Sequence, residues 1–183
     1  MKGKQELQQS GTRDGMGSSA NESCLTAVQG GELERVRVIL QEGAEVNWQD
    51  ENGFSLLFHA VFRRHFALAD ELLAQGANID LADRRGGTPL FWAAFNDHAD
   101  IVGFLVSHLA DANAATHEGD RPLFMAAYKN HAEVVRLLLA GGAQWDAIEP
   151  GGRDALGVAH MKGHHEIVKL REARAAALNT HLP

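Results

Sequence analysis

The sequence predicts an all-α solenoid of helix-turn-helix units joined by short β-turn or hairpin connections. Three observations carry that prediction. Gly53, Gly86, Gly119 and Gly152 recur every 33 residues, and three other markers keep the same step: Leu57, Leu90, Leu123 and Leu156; Ala60, Ala93, Ala126 and Ala159; His65, His98, His131 and His164. Within each interval the apolar residues fall at helical spacing, as in Val134, Val135, Leu138 and Leu139. Glycine-containing turns such as Gly86-Gly87 separate the intervals. A unit this short cannot bury its own apolar face, so successive units must stack into one elongated body.

The elements follow in chain order. Residues 1–20 are polar, contain glycines and lack an apolar run, so a disordered tail is predicted there, neither signal peptide nor membrane span. The first unit, about 21–49, lacks the Gly-x-Thr-Pro-Leu opening but keeps a one-sided stripe of Leu33, Val36, Ile39 and Leu40. Gly43 suits the left-handed residue at a helix C-terminus. An end unit meets water on its outer face and is expected to be atypical. Units follow at about 50–82, 83–115 and 116–148. Pro89 and Pro122 fall in the first helical turn, where a missing N–H costs nothing. The second helices carry apolar stripes and turn residues such as Glu71 and Gln75 outward. The last unit, about 149–172, degrades to Asp154-Ala155-Leu156-Gly157. Its closing helix should begin near His164 or His165 and run toward Leu178, with 173–183 forming the helix end and tail.

A period of 33 with Thr88-Pro89-Leu90-Phe91-Trp92-Ala93 resembles the ankyrin repeat, a β-turn followed by two antiparallel helices. The resemblance spans roughly 21–172. It implies a protein-binding module whose turn tips and first helices line a concave groove. By position, the groove residues would be Glu51, Asn52, Phe54, Phe62 and Arg63; then Arg84, Arg85, Phe95 and Asn96; then His117, Glu118, Asp120, Tyr128 and Lys129; then Arg153, with Met161 and Lys162 extending it. Aromatics beside arginines are the composition of a binding hot spot. Whether Phe62 and Phe95 face that groove or turn inward between units stays open. The resemblance fits an adaptor, a targeting piece or a stoichiometric inhibitor. Cell-cycle kinase inhibitors of the ankyrin type match in size and repeat number, but they shorten the first helix of one early repeat, and the glycine spacing here is uniform. Ankyrin repeats are also substrates of an asparaginyl hydroxylase. Leu105, Asp111 and Asn113 match its pattern, making Asn113 the candidate position; Ile39, Glu45 and Asn47 match less well.

The chain departs from the family at several positions. Phe58, Phe91 and Phe124 stand where a histidine normally ties the turn to the first helix. That polar tie is expected to be absent, replaced by a row of rings packing from unit to unit. Arg64, Asp97, Asn130 and Gly163 precede the periodic histidines where glycine is usual, and Leu109 replaces the glycine found at Gly43, Gly76 and Gly142. Arginine and leucine tolerate left-handed backbone poorly, so turns at Arg64 and Leu109 should be strained or differently shaped.

Composition narrows the remaining functions. A net charge of −7 argues against a general nucleic-acid binder, and the single cysteine, Cys24, against an internal disulfide. There are ten histidines, but stacked helices about 8–10 Å apart cannot bring the periodic row to one ion. His160, His164 and His165 form the one local cluster, without a His-Glu-x-x-His motif. No P-loop lysine follows the turn glycines, and no serine lies in a Gly-x-Ser-x-Gly turn. A metal-dependent enzyme therefore has no positive support, and no cofactor is implied. A structural spacer would show an evenly polar groove. The expectation is a monomer that binds a protein partner, with no nucleic-acid or membrane association. A cytoplasmic location is expected, with a nuclear one also open.

Overall fold

A computed structural model describes residues 13–179, with side chains described over 19–173. Among the described residues the chain forms α1 (Arg13–Gly30), α2 (Leu33–Gln41), α3 (Leu56–Phe62), α4 (Phe66–Ala74), α5 (Pro89–Phe95), α6 (Ala99–Ser107), α7 (Pro122–Lys129), α8 (Ala132–Ala140), α9 (Ala155–Lys162) and α10 (His165–Asn179). Successive pairs form the units. The first helices of the pairs stack on one another in one layer, α1 on α3 and α5 on α7 on α9, and the second helices in another, α6 on α8 on α10.

Local chemistry fixes where each helix starts and stops. Ser55 and Thr88 accept the N–H of Phe58 and Phe91 at 3.1 and 3.2 Å, capping α3 and α5. Asp154 does the same for α9 through the N–H of Gly157. At the equivalent position of α7 stands Arg121, which makes no side-chain cap, and Pro122 at the first helical position starts the helix instead. Each first helix and most second helices end on a left-handed residue that closes two backbone bonds. At Gly76 these are Ala77 N–H to Leu72 O and Gly76 N–H to Leu73 O.

The core lies between the layers. Leu57, Leu90 and Leu123 are buried beside Ala60, Ala93 and Ala126, whose small side chains let neighbouring helices approach. Leu72, Leu105 and Leu138 fill the same place on the second helices. The connections fold into tight tips closed by reciprocal backbone bonds, for example Asp83 N–H to Gly87 O and Gly86 N–H to Asp83 O. Successive tips also bond: Arg84 N–H donates to Asn52 O at 3.4 Å and His117 N–H to Arg85 O at 3.0 Å. This is why the tip glycine is required. At Gly53 and Gly86 the backbone is left-handed, and an added Cβ would stand 2.7 Å from the Arg84 nitrogen and 2.6 Å from the His117 nitrogen.

Three expectations need correction. The tail predicted over 1–20 gives way to helix from Arg13, so residues 13–20 belong to α1; residues 1–12 lie outside the described residues. Among the described side chains of α1, Asn21, Cys24, Ala27 and Val28 are buried and Leu25 packs against the core; the stretch before Asn21 reads in the sequence as polar chain. The closing helix starts at His165 and extends to Asn179, as expected.

The aromatic row does not pack from unit to unit. Its rings stack along each first helix, Phe54–Phe58–Phe62 with centroids 4.1 Å apart, Phe91–Phe95 at 6.3 Å and Phe124–Tyr128 at 6.3 Å. The spacing of four residues places those rings one above the other on a helix.

The polar tie is not absent either. His59 Nε2 pairs with Asp50 Oδ2 at 3.0 Å, and Trp92 Nε1 donates to Asp83 Oδ2 at 2.8 Å. Both side chains sit one residue after the phenylalanines, so the bond between turn and helix is moved by one position.

Arg64 and Leu109 do take left-handed backbone, at φ 62° and 64°. The turns nevertheless keep the regular shape, because His65 N–H to Ala60 O and Ala110 N–H to Leu105 O close as they do at the glycines. The turns are strained but not remodelled.

Candidate protein-binding face

The first helices and the tips present one common face. Arg85, on a tip, lies over the Trp92 ring of α5 at 5.7 Å from its centroid, and the Arg153 guanidinium reaches the Met161 sulfur of α9 at 3.9 Å. Two lysines continue the strip: Lys129 Nζ stands 3.7 Å above the Phe95 ring and Lys162 Nζ 3.8 Å above Tyr128. Each lysine covers a ring of the preceding unit, whereas Arg85 lies on a ring of its own unit. Such contacts contribute about 0.5–1 kcal/mol at exposed sites and hold a long side chain in place.

The residues expected in the groove fall as follows. Glu51, Asn52, Arg63, Arg84, Arg85, Asn96, His117, Glu118, Tyr128, Lys129 and Arg153 are exposed; Phe54, Phe62, Phe95 and Asp120 are half-buried. Phe62 leans on the core and meets the edge of His98, so it packs between units. Phe95 stays on the surface beneath Lys129. The open alternative thus resolves differently at the two positions. A shallow recess between tips gathers Arg85, Phe91, Trp92, Thr116, Glu118 and Asp120. Trp92 was missed in the sequence as a surface residue. The bond it makes to Asp83 could have been suspected from His59, one period earlier, facing Asp50.

The second helices present a different chemistry. Arg37 pairs with Glu34 at 2.8 Å and Glu71 at 2.5 Å, Arg64 with Asp100 at 2.6 Å, and Arg136 with Glu133 at 2.5 Å. Glu71 is therefore a linking residue between α2 and α4, not a bystander. The Arg37 guanidinium, followed by the Gln75 amide, holds its carboxyl below the usual range. An aromatic column of Phe66, Phe104 and His108 also crosses this side, with His108 Nε2 at 3.0 Å from Asp70.

The histidine row serves the stack. His164 Nδ1 approaches Ala127 O at 2.8 Å and His65 Nε2 approaches Gln29 O at 3.4 Å, each reaching the first helix of the unit before. His131 leans toward Asp97 at 3.6 Å. Among the described residues no three histidine, cysteine or acidic side chains are grouped so as to hold a metal ion. Asn113 is half-buried, its amide donating to Gly142 O at 3.2 Å and accepting from Gln144 N–H at 2.9 Å. No described helix is long and apolar enough to cross a membrane.

A family model described as ankyrin repeats (3 copies) matches residues 25–116 and 105–177. The chain belongs to the ankyrin-repeat family. A search of curated proteins found no match. Ankyrin repeats are in general protein-interaction modules, and the ring-and-cation strip lies where ankyrin domains carry their tips and first helices. In this ankyrin domain the first helices α3 and α5 are seven residues long and α7 and α9 eight, so no early first helix is shortened by a turn.

Proposed function

We propose that this ankyrin domain is an adaptor, targeting or inhibitory module that grips a protein partner along the face shared by its tips and first helices. The observation that carries the reading is the strip in which Arg85, Lys129 and Lys162 lie on the half-buried Trp92 and Phe95 and the exposed Tyr128. An inert spacer has no use for such a strip. The equal length of α3 and α5 gives the kinase-inhibitor alternative no support. The reading places the chain in the cytoplasm as a monomer until it meets its partner.

Specific interfaces bury about 800 Å² per partner and concentrate their energy in a few aromatic and arginine residues. Affinity capture followed by mass spectrometry would identify the partner. Replacing Arg84 and Arg85 by alanine, or Tyr128 by alanine, should then weaken its binding by tenfold or more, ~1.4 kcal/mol, with an unchanged melting temperature. The exposed pair Glu133 and Arg136 serves as the control, since Glu71 is engaged by Arg37. Sensitivity at Glu133 and Arg136 alone would move the site to the second helices.

Asn113 is proposed as a hydroxylation position, on its match to the hydroxylase pattern. Because its amide is bonded on both sides, modification requires the turn to open. Incubation with the hydroxylase and no mass gain on the Asn113 peptide would reject it.

A further inference from the structure

The chain carries a net charge of −7, yet the exposed charges of the tip and first-helix face are mostly cationic. Arg63, Arg84, Arg85, Lys129, Arg153 and Lys162 are exposed there, against the exposed carboxylates Glu51 and Glu118; Asp50, Asp120 and Asp154 are half-buried, and Asp83 and Glu149 are buried. Among the described residues none of those cations has a carboxylate within 4.0 Å, whereas Arg35, Arg37, Arg64 and Arg136 on the other side are each paired with one. On the tip and first-helix side the half-buried Arg121 is paired with Glu149, while the six exposed cations are left unmatched. Three of them are also held in place, Arg85, Lys129 and Lys162 each lying on a ring.

We propose that this face takes an extended acidic segment of the partner protein, with carboxylates about three residues apart seated on Lys129 and Lys162. The spacing follows from geometry. The two lysines end the stacked first helices α7 and α9, whose axes lie about 8–10 Å apart, and an extended chain advances about 3.3 Å per residue. The residues between the carboxylates would lie on Phe95, Tyr128 and Met161. Glu51, Glu118 and Asp120 interrupt the cations at the tips, which suits a segment with spaced charges and opposes a continuous phosphate backbone. Carboxylate–lysine pairs at this spacing would fix the register of the segment more than they add raw affinity.

This inference rests on the protein-binding reading above and is tested separately from it. A displayed library of random dodecapeptides would be selected on the full chain. The proposal expects Asp or Glu enriched at every third position, and roughly tenfold weaker binding of the selected peptides to the Lys129→Gln, Lys162→Gln double variant. Both lysines are exposed, so the melting temperature should hold, and arginine at both positions should restore binding. Peptides that lack acidic enrichment but are lost with Tyr128→Ala would overturn the acidic segment and leave the protein-binding face standing. Selected peptides indifferent to every substitution on this face, or no enriched peptide at all, would overturn both. Random duplex DNA that binds the chain and is lost in the same double variant would assign the face to a nucleic acid and overturn the proposal.

Discussion

Leu109 is 88% exposed at a left-handed φ of 64°, so its side chain contributes little packing while its backbone carries strain. A left-handed L-residue costs about 1–2 kcal/mol, and the greater unfolded-state entropy of glycine gives back about 0.4–1 kcal/mol of that on substitution. Leu109→Gly should therefore stabilise the chain by up to about 1 kcal/mol in a urea titration. Arg64→Gly should gain less, because Arg64 also bonds Asp100 through two nitrogens. Equal gains at both positions would show that the ion pair contributes nothing. Asp80 breaks a second regularity. Asn47 and Asn113 each bridge to the next unit, accepting a backbone N–H and donating to Gly76 O or Gly142 O. Asp80 accepts Asp111 N–H at 3.0 Å but, when ionised, has no proton for the carbonyl of Leu109. Burial, with the Asp111 charge adding to it, raises its carboxyl above the ordinary range. A raised acid pKa is a burden at neutral pH that lifts as pH falls through the folded-state value. Asp80→Asn should add about 1 kcal/mol at neutral pH, and the gain should shrink toward zero as the medium is acidified through the raised value. A gain that stays constant with pH would show that the charge is not its origin.

At the scale of the helix, Phe91 is buried within α5 while Phe54 is half-buried before α3 and stacks on Phe58. Phe91→Ala should cost about 3–5 kcal/mol, and Phe54→Ala about 1 kcal/mol, chiefly the lost ring contact. Similar losses at the two positions in urea titrations would contradict the assignment of faces. These elements were largely readable from the chain. The step of 33 fixed the order of helices, and glycines, prolines and Ser55, Thr88 and Asp154 marked their ends. Side-chain partners were harder to read, because a period tells which residues are equivalent and not which way they turn. His59 and Trp92 bond Asp50 and Asp83 across a turn whose shape had to be known first. Lys162 repeats Lys129 one period later, so its place was legible, but the ring beneath each lysine belongs to the preceding unit. Helix α1 was missed before Asn21 because residues 13–20 are mostly polar or small, include two glycines and carry no apolar periodicity to read.

Across the whole stack the junction between the second and third units differs from the rest. Helices α3 and α5, and α4 and α6, approach less closely than α5 and α7 or α6 and α8. Asp80 and Asp111 meet there, and the bond between tips, Arg84 N–H to Asn52 O at 3.4 Å, is longer than that of His117 N–H to Arg85 O at 3.0 Å. Rings, an ion pair and a histidine–carboxylate contact span the gap: Phe66 on Phe104 at 5.0 Å, Phe62 against His98, Arg64 to Asp100, and His108 beside Asp70. Stability in such arrays is a sum of unit and neighbour contributions, so the weakest neighbour contact is where cooperativity breaks. Native-state hydrogen exchange should show the amides of α1–α4 opening at lower free energy than those of α5–α8. A single opening energy across all of them would refute the weak junction. Cys24 offers a way to watch this without altering the chain. The single cysteine lies wholly inside the first unit, and burial pushes its thiol up to about 11. A thiol reagent can act on it only after that end of the stack has come apart. The pace of alkylation under native conditions is therefore a stopwatch for that parting, already wired into the polypeptide and silent at the far end.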